Sequence, residues 1–293
     1  MLEIKRLSTC SLDETVQAWN EGFRGYAFDA ATTPDAFLKR LAAEELSSEL
    51  SIVAFQDGIP AGIVLNGIRE AGGKSIGWNG GTGVAFSFRG QGIGERLIAA
   101  ALNILQENGV HLATLEALSD NTPAVTLYRK MGYAQVDELE HLSLKGPAEQ
   151  LFTEPSAKGY EIVPVHPAKT AGISFYKASH PWQTQWQNAR DGQAVIVRKP
   201  SGQTAGYAYW RKVYNPAGEH TATILHQCEA EPGNLESALI LKVLLWHIFG
   251  DLQDSITRTV PNLPKSGSAL TGLILKSLGF TPVVQQIYMT KAL

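Results

Sequence analysis

The stretch FRGQGIGERL, residues 88 to 97, places glycines at 90, 92 and 94 directly before an apolar pattern of helical period. Glycines at that spacing remove side chains that would hold a ligand away from the backbone. They also permit the positive φ values that turn successive N–H groups toward one point. A helix N-terminus behind such a turn adds unpaired N–H groups and the positive end of a dipole. The chemistry on offer is anion recognition, with phosphate foremost. The competing reading is a connection that merely lets a strand and a helix pack closely. Two common nucleotide patterns do not fit: there is no G-x-x-x-x-G-K-[ST], and no first strand-to-helix turn followed by an acidic residue ending a second strand.

The elements around the turn must hold it in place. A strand over 75–85 leads in, and residues 94–108 carry Leu97, Ile98, Ala101, Leu102 and Leu105 at the three-to-four spacing of a helix face buried on a sheet. Gly109 stops that helix. HLATLEAL (111–118) reads as a strand, 122–131 as a helix with Pro123 in its first turn, and 133–144 as one or two closing strands. Upstream lie a strand at 2–7, helices between 12 and 46, and strands at 51–56 and 61–69.

This order occurs twice in the 293 residues. LEIKRL (2–7) is echoed by YEIVPV (160–165), SIVAFQDGIPAGIVL (51–65) by AVIVRKPSGQTAGYAY (194–209), and LYRKMGY (127–133) by LILKSLGF (273–280). The second pair has a hairpin signature, and the third reads as a helix end, a glycine and an aromatic opening a strand. Two copies of one α+β fold follow, as domains 1–146 and 147–293, joined through LKGPAEQLFTEPSAKG (144–159). A net charge of −3, from 25 Lys+Arg against 28 Asp+Glu, gives no basic footprint for nucleic acid or an anionic membrane. Cys10 and Cys228 are far apart and lack metal-ligand spacing, which fits a reducing compartment and no metal. The opening MLEIKRLSTCSLDE has no leader pattern, and the apolar run 235–250 is too short to span a bilayer, so a cytoplasmic location is expected.

With Arg89 leading, RGQGIG resembles the R-G-x-G-x-G pyrophosphate loop of the GNAT superfamily of acyl-coenzyme A dependent N-acetyltransferases. In that family a strand ending in valine precedes the loop and lends backbone groups to the pantetheine arm. Val84 occupies that place, while Phe86 stands where proline is frequent. A second block, NTPAVTLYRKMGY, resembles the same family through Asn121, Ala124, Leu127, Tyr128, Gly132 and Tyr133. The resemblance implies an α+β fold class of two tandem GNAT-like domains, each a mixed, mainly antiparallel, twisted sheet flanked by helices. It further implies acetyl-coenzyme A as cosubstrate and direct attack on its thioester by a primary amine of a small molecule or peptide.

On that basis Arg89, Gly90, Gln91, Gly92, Ile93 and Gly94 form the pyrophosphate loop, and Val84 and Asn121 serve the pantetheine arm. Asn121 fits equally well as a helix cap. Tyr128 is the candidate acid for the departing thiolate, against an alternative role as a core tyrosine with its hydroxyl at the rim. Glu116, in TLEAL, is the candidate base; it could instead fix strand ends or the substrate ammonium, and Asp120 is a weaker choice, more at home in a turn. Trp19, Phe23, Tyr26 and Phe28 could line an acceptor pocket or pack in a core. In the second copy EPGNLES (231–237) stands where the glycine loop should be, Leu275 answers Tyr128 and Ser268 answers Asn121, so that copy is expected to keep the fold without the machinery. Trp182 and Trp186, read as one helical face, are a contact surface or plain core. The rival function is a non-catalytic acyl-coenzyme A sensor; monomer and homodimer are both compatible with the sequence.

Overall fold

The computed structural model describes residues 1–26 and 29–293 and divides into two compact units. The first comprises Met1–Val136 with Ile287–Leu293, the second Asp137–Gln286. The division therefore does not fall at the expected 146/147.

In the first unit the chain runs β1 (Leu2–Arg6), α1 (Leu12–Gly22), α2 (Pro34–Ala43), β2 (Ser47–Gln56), β3 (Ile59–Ala71), β4 (Lys74–Val84), α3 (Ile93–Glu107), β5 (Leu112–Leu118) and α4 (Thr122–Lys130). A Ser11–Glu14 capping box starts α1, and the Thr33 side chain caps α2. β1 to β4 pair antiparallel in sequence order and β4 pairs parallel with β5. Leu97, Ile98 and Leu105 of α3 pack on Ile52, Val64, Ala113 and Leu115 in one core. The expected strands and helices lie where the periodicity placed them.

The chain continues with β6 (Ala134–Lys145), of the second unit from Asp137, then β7 (Glu161–Val165), α5 (Pro167–Thr170), β8 (Gln193–Arg198), β9 (Thr204–Tyr214), β10 (His220–Ala230), α6 (Ser237–Phe249), β11 (Thr257–Pro264), α7 (Ala269–Ser277) and β12 (Thr281–Ala292), of the second unit as far as Gln286. β7 to β10 pair antiparallel, β10 and β11 parallel, and β11 antiparallel with β6. Each unit is thus the expected mixed, mainly antiparallel sheet with helices.

The strand 134–145 was expected to close the first copy. From Asp137 onward it belongs to the second unit, where Leu139–Lys145 pair with β11. The last residues of β12, Ile287 to Ala292, belong to the first unit beside β5, with Ile287 and Met289 in its core. Each copy's final strand therefore crosses into the other unit, so no single cut of the chain separates the two. Much of the expected join, 144–159, packs into the second unit. Phe152 and Ala148 are buried in the second unit's core, and the amides of Gly146, Ala148 and Phe152 donate to carbonyls of Ile256, Leu252 and Asp251.

Candidate functional site

β4 and β5 are paired only as far as Asn79 opposite Leu115. One residue later β4 bulges: Leu65 faces Gly81 and Asn66 faces Asn79, leaving Gly80 unmatched. The bulge is fastened from outside by Arg40, which donates to the Gly80 carbonyl at 2.7 Å. Beyond it the two strands part, and the wedge between them opens into a cleft of about 680 Å³. Its walls include Thr82–Val84 of β4, the loop glycines 90, 92 and 94, Leu118, Asn121 and Tyr128. The wall from α1 comes close because Gly22 and Gly83 touch through their backbones: a Cβ on Gly83 would lie 3.0 Å from Gly22 carbon atoms.

The glycine turn is built as its sequence requires. Gly90 and Gly92 have φ of 76° and 78°, where side chains carry strain, and Gly92 is the left-handed N-cap of α3. The first intrahelical bond runs from the Arg96 amide to the Gly92 carbonyl at 3.2 Å, so the amides of residues 93–95 have no acceptor within the helix. Gly90, Gly92, Ile93 and Gly94 all line the cleft; Gln91 does not, and its side chain donates to the Ser87 carbonyl. Arg89 lines the cleft too, yet its guanidinium is engaged by the carbonyls of Val84, Gly22 and Arg24.

Tyr128 sits on α4 with 7% of its surface exposed, edge-on to Tyr133 at 5.9 Å between ring centroids. Burial pushes its phenol up to about 12, opposed by a hydrogen bond with Thr82, and the hydroxyl is therefore protonated at neutral pH. Thr82 is itself held by Asn79, whose amide donates to its hydroxyl at 2.8 Å. Asn121 caps α4 by accepting from the Ala124 amide and also hydrogen-bonds Tyr26, so the cap role is real. Tyr26 is raised, first by burial. The four aromatics near α1 divide: Trp19 is buried and stacks on Phe23 at 4.1 Å, Phe23 and Tyr26 line the cleft, and Phe28 lies outside the described residues.

Glu116 does not line this cleft. Alternation along β5 buries Ala113, Leu115 and Ala117 in the core with α3, which puts Glu116 on the other face. There its carboxylate accepts from the Trp78 indole N–H at 2.7 Å, and Tyr288 of the C-terminal strand is a close enough neighbour to feel its charge. Asp120 lines the cleft from the turn before α4. Sequence reading missed Thr82, whose one signal is its place in the glycine-rich NGGTGV, and Tyr288, which carries none.

The corresponding wedge of the second unit is filled. β10 and β11 pair only over Ala222–Ile224 and Thr257–Thr259, and β10 bulges at His226, between Leu225 and Gln227. Ser268 hydrogen-bonds the buried Glu229, and the Thr271 hydroxyl donates to the Cys228 carbonyl at 2.8 Å. His226 and the Gln183 carbonyl are 3.0 Å apart, and Asn262 donates to the Gln183 side chain. Residues 182–189 are two short 3-10 turns rather than the helical face expected for Trp182 and Trp186; Trp182 is buried and Trp186 packs on the Tyr207–Tyr209 cluster.

Residues 12–133 match the acetyltransferase (GNAT) family. A mycothiol acetyltransferase of Arthrobacter sp. (strain FB24) is 42% identical over 55 residues, which is 19% of this chain and 17% of that protein. The matched stretch thus spans about a sixth of that relative's length. A GCN5-related N-acetyltransferase from Sphaerobacter thermophilus superimposes with a TM-score of 0.66 at 13% identity, over 99% of this chain and 95% of that one. A tandem GNAT protein from the clavulanic acid biosynthesis pathway gives 0.61 at 14% identity, over 100% and 98%. The open wedge and the left-handed glycine turn lie within residues 12–133, the stretch that matches the acetyltransferase (GNAT) family, and the whole chain shares the fold of a tandem GNAT protein.

Proposed function

We propose that the first unit transfers the acetyl group of acetyl-coenzyme A to a primary amine of a small molecule or peptide. The observation that carries this reading is the cleft itself: unpaired helix amides at one end and a protonated, buried tyrosine on its wall. The amides of residues 90–94 and the α3 dipole hold the pyrophosphate. The Val84 backbone amide, on the edge of β4 that no longer pairs with β5, and the Asn121 side-chain amide serve the pantetheine arm.

The amine nitrogen attacks the thioester carbon and forms a C–N bond as the carbonyl electrons move onto oxygen. Collapse of the tetrahedral intermediate breaks the C–S bond, and the sulfur takes its proton from the Tyr128 hydroxyl. Glu116 accepts the proton lost by the amine, through water, from the sheet face opposite α3. Its bond from Trp78 supports this role by fixing one carboxylate oxygen.

Free thiol release from acetyl-coenzyme A, followed with polyamines, aminoglycosides, amino acids and peptides, tests the reading. Release stimulated by at least one amine is expected. Tight coenzyme binding without amine-stimulated release would replace the enzyme with an acyl-coenzyme A sensor.

A further inference from the structure

The Arg89 side chain is fastened to backbone on two sides of the cleft. Its Nε donates to the Val84 carbonyl at 2.9 Å, and one terminal nitrogen donates to the carbonyls of Gly22 and Arg24, both at 3.2 Å. Gly22 ends α1, so its carbonyl is one that a helix end leaves without an intrahelical partner, and Arg24 follows the C-cap, Phe23, in the turn beyond. A planar cation with five donors satisfies both carbonyls and complements the negative end of the α1 dipole; an ammonium cannot span three divergent acceptors. The turn so held, Gly22–Tyr26, forms part of the cleft wall: Phe23 and Tyr26 line the cleft, their rings edge to face at 5.4 Å, and Tyr26 is near enough to Tyr128 to interact with it electrostatically. The other end of the turn is held by the hydrogen bond between Tyr26 and Asn121.

We propose that Arg89 is a positioning residue that ties the turn Gly22–Tyr26 to the coenzyme loop, so that occupation of the loop rigidifies the acceptor-side wall. Its guanidinium shapes the place where the amine enters and is not a phosphate ligand. The coupling rests on the reading of residues 90–94 as the pyrophosphate site, while the brace itself does not.

The test uses the full chain, coenzyme A as probe, and the variants Arg89→Met and Arg89→Lys. Amide hydrogen exchange at Phe23, Arg24 and Tyr26 is measured by NMR with and without coenzyme A, and its Kd by calorimetry; core amides of β2 report that the variants are folded. In the natural chain coenzyme A is expected to slow exchange in the turn about tenfold. In both variants the ligand-free turn should exchange about tenfold faster and no longer respond to coenzyme A, with Kd changed by less than about threefold. A Kd raised about tenfold or more in Arg89→Met, partly restored by Arg89→Lys, with turn exchange unchanged, would overturn the proposal and make Arg89 a phosphate ligand. If the natural chain binds no coenzyme A, the pyrophosphate reading falls, and ligand-free exchange in the variants still decides whether Arg89 braces the turn.

Discussion

The two units part a parallel strand pair at the same point and do opposite things with the gap. In the first, β4 bulges at Gly80 just past its last pairing with β5, and the opened wedge is lined by glycines, Thr82 and Tyr128. In the second, β10 bulges at His226 just past its last pairing with β11, and the wedge is closed by Ser268 on Glu229, Thr271 on the Cys228 carbonyl and the Gln183 segment on His226. The sheet geometry is common to both. What separates a ligand cleft from a packed core is the residues that meet the parted strands: glycine and a tyrosine hydroxyl leave room, while β-branched, imidazole and carboxyl side chains fill it. A bulge beside a strand splay is therefore a feature of the fold, and only its lining makes it a site.

The largest expected effect breaks the first wedge chemically. Tyr128→Phe should lower kcat about 100-fold or more while the Kd for acetyl-coenzyme A stays within about threefold, measured by thiol release and calorimetry. Because the natural phenol keeps its proton to about 12, the rate should show no alkaline fall from Tyr128 below about pH 10.

The next prediction concerns the filled wedge. Burial lowers His226 to about 4 and His180 to about 3. Between those values and about 6.5 the unfolded chain binds protons that the folded unit refuses, so stability is lost as pH falls through that window. Glu229, raised to about 7 by burial, acts in the opposite sense, since the folded unit then holds a proton the unfolded chain releases above about 4.5. Two imidazoles outweigh one carboxyl, and the second unit should lose stability on acidification from pH 6.5 to 4. His226 contributes on the order of 3 kcal/mol to that loss, and His226→Gln should flatten the pH dependence of denaturant unfolding.

Smaller effects follow from single contacts. Gly92→Val places a β-branched residue at φ 78°, at a strain of roughly 1–2 kcal/mol, and should weaken coenzyme A binding about tenfold or more by turning the loop amides out of line. Ser268→Ala should cost about 1–2 kcal/mol of stability, because buried Glu229 loses its hydroxyl partner, and should leave coenzyme binding unchanged.

Much of this comparison was legible in the sequence, because a glycine turn, a helix cap and an Asn-to-Tyr block on one helix are local patterns. The glycines 90 and 92 adopt the positive φ their spacing implied, and Ser268, which answers Asn121, is the residue that bonds Glu229 in the second wedge. The exchange of final strands was not legible: β6 and β12 alternate in a way that suits either sheet edge, and their neighbours are chosen by pairing distant in sequence. Nor was the bracing by Arg89, since its partners are backbone carbonyls, two of them more than 60 residues away, which leave no side-chain signal. The spacing of Trp182 and Trp186 suggested a helix, yet Pro181 precedes a 3-10 turn whose Thr184 amide returns to its carbonyl, and a second such turn follows. Glu116 was read from its strand position; that the Trp78 indole would hold its carboxylate depends on a residue 38 positions away.

The central claim is that one wedge is open to coenzyme and the other closed, and its most direct measurement is the calorimetric stoichiometry of coenzyme A on the full chain. One molecule per chain is expected, with binding weakened by Gly92→Val and untouched by Ser268→Ala. Two equivalents per chain, or binding that ignores Gly92→Val and responds to Ser268→Ala, would contradict it.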